Sequence, residues 1–140
     1  MNGDPGLAYA FALHLDGEAV ARFQSIEGLS AHIDPIAYRE GGIGSVRHLP
    51  GAAQVSPVTL RYGVTSHSGL WDWCNASVAG TISRRTASVT LYANDGQTEA
   101  ARWTLFKAWP SGFRAAPLDA QVDKIAFEAL TLVYDRLERA

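Results

Sequence analysis

A single cysteine, Cys74, and a single methionine occur among the 140 residues. One thiol cannot close an internal disulfide, so the fold is not stapled, and a reducing cytoplasm is the expected place of synthesis. Long apolar runs are also missing. No stretch approaches the roughly 18 residues that a spanning helix requires, and the opening MNGDPGLAYA lacks the basic-then-apolar layout of a signal peptide. Neither direct membrane insertion nor signal-dependent export is expected. There is no excess of either charge: 12 basic and 14 acidic residues leave a formal net charge of -2, which gives no electrostatic basis for nucleic-acid specificity. Partners are expected among proteins or small molecules. Lysine is scarce, since ten of the 12 basic residues are arginine. Arginine suits protein interfaces through its fixed bidentate geometry, although a GC-rich genome produces the same bias.

The residue patterns of catalysis are equally thin. His14, His32, His48 and His67 lie 16 to 19 residues apart, and none has a histidine or cysteine two to five positions on, the spacing that metal sites usually show. Cys74 falls on an apolar helical stripe, which favours an inert buried thiol over a nucleophile. The glycines of EGGIGS fit neither GxxxxGK[ST] nor GxGxxG, and no helix follows them. Carboxylates are scattered, so no acid–base pair stands out. No catalytic residue, metal or cofactor is expected.

Period-two alternation dominates what is present. From Leu7, the residues Leu7, Tyr9, Phe11, Leu13 and Leu15 fall on one face of a strand. Asp16-Gly17 follows, a strong hairpin signal because type I′ turns need positive φ at both central residues. Further strands are predicted over residues 18–26, 30–39 (with Pro35 marking a bulge or edge), 55–64, 83–92, 99–109 and 125–135, roughly seven in all. Residues 38–51, YREGGIGSVRHLPG, read as a long loop, and 110–123 as a long connection. One helix breaks the pattern in SHSGLWDWCNASVAG. Its stripe is Leu70, Trp71, Cys74 and Val78, with Ser66 or Ser68 as the cap and Gly80 as the stop. Trp71 is the simplest core residue, and Trp73 a second core contact or an interface anchor. At this length, one domain over residues 1–140 is expected. In residues 125–135, Phe127, Ala129 and Val133 alternate with Leu130, Leu132 and Tyr134. Apolar residues on both faces of a strand call for cover by neighbours.

The order strand, DG turn, strand, YREGG, LPG, RYGV, LWDW, NDG hairpin and KAWP resembles the tail-tube protein family of contractile phages, especially inner-tube proteins of extracellular contractile injection systems. The resemblance runs from about residue 7 to 134. It implies a mainly β fold of two packed antiparallel sheets, barrel-like, with one flanking α-helix. It further implies synthesis in a bacterial cytoplasm and hexameric rings stacked into a tube that conducts cargo. The implied partners are other copies of the chain, a sheath protein, the baseplate or spike, and tube-terminating proteins. Glu40, Gly41, Gly42, Arg47, His48 and Pro50 are then candidates for an inter-ring loop, ordered on the adjacent ring and setting the stacking register. If strands 30–39 and 55–64 line the tube, His32, Asp34, Thr59 and Arg61 are candidates to face its lumen. Two alternatives stand beside the main tube subunit. One is a baseplate-proximal initiator of the same family, and the other is a small β-barrel binding protein or enzyme with a pocket inside the subunit.

Overall fold

The computed structural model describes residues 10–39, 41, 44–65, 67–116 and 125–140. Leu7, Tyr9, Glu40, Gly42 and Ser66 lie outside them. The described elements, in chain order, are β1 (Phe11–Leu15), β2 (Glu18–Glu27), β3 (Ala31–Arg39), β4 (Val46–Val55), β5 (Val58–Thr65), α1 (Ser68–Val78), β6 (Arg85–Tyr92), β7 (Glu99–Ala115), β8 (Ile125–Val133) and β9 (Arg136–Arg139). Asp16 and Gly17 turn β1 into β2 with φ of 51° and 87°, the primed-turn geometry that the Asp-Gly pair predicts.

The strands run in the order β6-β1-β2-β5-β8-β7, and β7 pairs back onto β6, closing a six-stranded antiparallel barrel. Closure leaves no free edge along the ring. β9 continues the line of β8 along β7, from Phe106↔Arg136 to Trp103↔Arg139. The barrel is filled rather than hollow: Leu13, Phe23, Val58, Leu60, Val89, Leu105, Phe127, Leu130 and Leu132 are all essentially inaccessible. The mainly β reading with one helix holds. The barrel-like expectation holds as well: six strands close into a barrel, and a separate two-stranded sheet stands beside it.

Two corners interrupt the alternation, and they correct the face assignments made from sequence. Gln24, Tyr62 and Glu128 stand at one level of β2, β5 and β8, between the pairs Phe23↔Gly63↔Phe127 and Ser25↔Arg61↔Ala129. Tyr62 has φ 56°. Across this level the inward phase slips by one residue on all three strands: Ile26 then Phe23, Leu60 then Gly63, Leu130 then Phe127. Phe23 lies so close over Gly63 that a Cβ there would sit 2.2 Å from its ring. The second corner is Lys107, φ 57°, between buried Leu105 and Ala108. Phe127, Leu130, Leu132 and Tyr134 of residues 125–135 therefore all point into one core. The apparent two-sided pattern there is a kinked strand, and it makes no case for neighbours.

Other corrections concern extents. Residues 38–51 are not a long loop, because β4 begins at Val46. The strand expected over 99–109 runs to Ala115 and absorbs the start of the expected connection, of which 117–123 lies outside the described residues. β9 was not expected. Residues 55–64 split at Ser56 and Pro57 between β4 and β5.

The helix is not capped by Ser68. His67 is the N-cap, its Nδ1 accepting from the Gly69 amide at 3.0 Å while Nε2 faces Glu18 at 3.2 Å. Gly80, φ 103°, ends it as predicted, with Thr81 N–H donating to Ala76 O at 2.8 Å. Leu70, Trp73 and Cys74 form its buried stripe.

Candidate assembly surface

β2 and β5 do not stop at the barrel rim. After a break at residues 28–30 and 56–57 they resume as β3 and β4 in the same register, with Ala31↔Val55 and His32↔Gln54. The break is fastened by Ser56 N–H donating to Ser30 O at 3.0 Å and by a bond between the two serine hydroxyls. Gly28, φ 91°, is obligatory there, since a Cβ would lie 2.2 Å from Pro57 O. The result is one long hairpin rooted in the barrel and continued as an arm.

Nothing among the described residues covers the arm. β3 is exposed at every position, and β4 at all but two. Yet it carries Ile33, Ile36, Tyr38, Val46 and Leu49, each between 41% and 56% exposed. The register shifts between Ile33 and Pro35, as Pro35 predicts, with the extra residue on β4 opposite Asp34. Pairing then places Ile36 with Leu49 and Tyr38 with Arg47 on the face shared with His32 and Asp34. The other face holds Ile33 with Ala53, Pro35 with Pro50, Ala37 with His48, and Arg39 with Val46. Opposed prolines fit a non-hydrogen-bonded pair, whose amides point away from the partner strand. Both outer edges of the arm are unpaired among the described residues. An exposed sheet with apolar side chains on both faces and two open edges is the surface that a soluble subunit would normally cover.

The sequence candidates fall on this hairpin in two ways. Arg47, His48 and Pro50 are strand residues of the arm, not loop residues, and Gly41, φ 64°, lies at its turn; Glu40 and Gly42 lie outside the described residues. His32, Asp34, Thr59 and Arg61 come together on one continuous face, which is the barrel's exterior prolonged along the arm. Cross-strand polar contacts line it. Arg61 binds Glu27, His32 Nε2 is 3.4 Å from Asp34, and Arg114 Nε is 3.5 Å from Glu128 in the neighbouring strands. Thr59 and Thr131 share a hydroxyl bond of 3.2 Å. Glu27, Arg114, Glu128 and Thr131 were not singled out in the sequence; only cross-strand register reveals them.

For the helix candidates, Leu70 and Cys74 are buried and Trp71 is partly buried, its ring 5.1 Å from Phe113 and 5.6 Å from Phe127. Val78 is a correction: it is 73% exposed. The stripe is centred on Leu70, Trp73 and Cys74, which leaves the short Val78 at its rim in the last turn. Trp73 is the deeper tryptophan, 3% exposed, its indole N–H donating to Ser83 O at 2.7 Å. Burial pushes the Cys74 thiol up to about 12, so the thiolate needed for nucleophilic chemistry is suppressed.

Known proteins share this architecture. A chain of the sheath-tube complex of an extracellular contractile injection system, PVC, in the extended state superposes with a TM-score of 0.70 at 26% identity, over 94% of this chain and 88% of that one. A chain of the tube-terminating cap of the anti-feeding prophage gives 0.69 at 26% identity, over 94% and 88%. Hcp1 from Flavobacterium johnsoniae gives 0.52 at 10% identity, over 94% and 95%, a likeness of fold alone. No curated protein matches the sequence. The family model of the T4-like virus tail tube protein gp19 matches residues 7–138, almost the entire sequence, and the chain therefore belongs to that tail tube family as a structural subunit of inner-tube type.

Proposed function

We propose that copies of this chain form hexameric rings that stack into a tube, and that the tube is a passive conduit without a catalytic centre. The observation that carries this is the arm. The barrel has already satisfied its own edges and filled its own interior, so the exposed apolar side chains of β3 and β4 serve no purpose within the fold. A second copy supplies what they lack: a strand edge to pair with and a surface to bury Ile33, Ile36, Tyr38, Val46 and Leu49. In this reading the outer part of the arm, with Gly41, Arg47, His48 and Pro50, bridges to the adjacent ring, and the part of the hairpin nearer the barrel, bearing His32, Asp34, Thr59 and Arg61, lines the lumen. A sheath, a baseplate or spike and a terminating cap are the partners, in a particle that acts outside the cell. The complexes that contain the similar chains support these roles.

Negative-stain microscopy and light scattering of the purified protein test the reading. Rings, and tubes at high concentration, are the expected result. A strictly monomeric species across a wide concentration range overturns it, whereas rings alone fit the main tube subunit and a baseplate-proximal initiator equally.

A further inference from the structure

A stack whose rings all point the same way needs two different surfaces on each subunit, one toward the ring above and one toward the ring below. The arm is one of them. Its root lies where β2 ends at Glu27 and β5 begins at Val58, so its counterpart is expected at the opposite ends of the same two strands, near Glu18 and Thr65. A groove of about 370 Å³ opens there to solvent. Small side chains make the hollow: Ala12, Ala19 and Ala21, with Val64 beside them. The polar groups around it are already engaged, since Arg22 lies over the Tyr92 ring at 4.5 Å and His67 sits between the Gly69 amide and Glu18. Such a groove calls for an apolar occupant.

The arm carries a face of that kind. Val55, at the root, packs against the barrel core, and Ala31, Ile33 and Ala53 follow it on the same side. Pro35, Pro50 and Ala37 continue the face, and no ionisable group interrupts it before His48 and Arg39 toward the tip. It is the barrel's inward face prolonged past the end of the core, which leaves Ile33 56% exposed. We propose that this face of the arm seats in the groove of a second copy, in the adjacent ring, with Ile33 and the opposed prolines Pro35 and Pro50 in the hollow. The inference rests on the ring-stacking reading above and names the surface that receives the arm. It also limits the spacing of the rings. Val20 in the groove and Ile33 on the arm are separated by at most about 44 Å of extended chain, so rings joined through this contact repeat at no more than about 50 Å once side-chain contact distances of about 4 Å are added.

The test links the two surfaces covalently. Cys74 is buried, so Ala19→Cys and Ala53→Cys, both at exposed positions, are introduced together and treated with a short bismaleimide after assembly. Each copy should then be joined to one in the next ring, and a denaturing gel should show a ladder running past six chains, while neither single variant gives a ladder. A ladder that stops at six places the contact between neighbours within a ring. Rings or tubes without any ladder show that the arm does not reach the groove. Either result overturns the inference and leaves the ring reading standing. An Ala19→Cys thiol that resists a small maleimide before assembly shows the groove to be filled by the chain's own residues ahead of Ala10, whose carbonyl accepts from the Tyr92 amide at the groove's edge, and this also overturns it. Ile33→Asp is a second variant that needs no cross-linker. It puts a charge into the apolar seat, and should shorten tubes by at least about tenfold while the far-ultraviolet circular dichroism of the subunit stays as in wild type. Tubes of normal length from Ile33→Asp, or a ring repeat well above about 50 Å in micrographs of wild-type tubes, overturn the contact. A wild-type chain that stays monomeric overturns the ring reading itself, and the inference with it.

Discussion

At the scale of single residues, the titratable groups of the subunit serve the fold. His14, on β1, is held below its ordinary pKa, first by burial, then by the positive charge of Arg102 and Arg22, with Glu99 opposing. A histidine whose folded pKa is depressed stays neutral in the fold while the unfolded chain takes up a proton. The unfolded state then binds more protons, so stability is complete above the unfolded pKa of about 6.5 and is lost as pH falls from there through the folded value. The expected outcome is that wild type loses more stability than His14→Gln when denaturant melts at pH 7.5 and 5.5 are compared. Equal losses, or a greater loss in the variant, would show that the imidazole is not held neutral. His67 is wired differently: one ring nitrogen accepts from Gly69 at the helix start and the other faces Glu18. Gly69 leaves room for that ring, since a Cβ would lie 2.6 Å from it. A histidine cap is absent from the usual list of N-cap residues, which is why the sequence pointed to Ser66 or Ser68 instead.

At the scale of elements, legibility followed regularity. The β1–β2 hairpin, the helix and its Gly80 stop could be read because turn chemistry and periodicity agreed there. β4 could not, because Pro50 and Gly51 look like loop residues and only their position opposite Pro35 in an unpaired arm makes them tolerable in a strand. The faces of residues 125–135 were misread because a corner intervened there. The signal was present as apolar residues three apart instead of two, in Phe23 and Ile26, Leu60 and Gly63, Leu105 and Ala108, and Phe127 and Leu130. Of the candidate site, sequence supplied the hairpin's polar residues but not Glu27, the partner of Arg61, which lies on a strand brought alongside only by the fold. The helix offers a direct check of the corrected stripe. Trp73→Ala removes a buried ring and its bond to Ser83, and should cost about 3–5 kcal/mol. Trp71→Ala should cost less, because its ring is partly exposed beside Phe113 and Phe127. Val78→Ala should stay within about 0.5 kcal/mol of wild type. Thermal melts in which Trp71 mattered more than Trp73 would return the stripe to the sequence reading.

At the scale of the whole molecule, the chain divides its labour between a barrel that folds and an arm that assembles. The barrel closes its own sheet and fills its own core, while β3 and β4 add almost nothing to that core beyond Val55 at their root. The hydrogen bonds between Ser30 and Ser56 already bring the two sides of the root together. Replacing residues 32–54 with a short glycine-rich turn between Ala31 and Val55 therefore asks the chain to close a loop that the fold has nearly closed. A shorter loop also carries a smaller closure entropy. The expected product is a folded barrel whose melting temperature lies within about 5 °C of the intact subunit, a shift of roughly 1 kcal/mol at this size, and which is monomeric at concentrations where the intact chain forms rings. A variant that fails to fold would show the arm to be part of the folding unit, and melts with circular dichroism would reveal this directly. A variant that folds and still builds tubes of normal length would show that the exposed apolar residues of the arm have no assembly role, and the stacking function assigned to it would have to be abandoned.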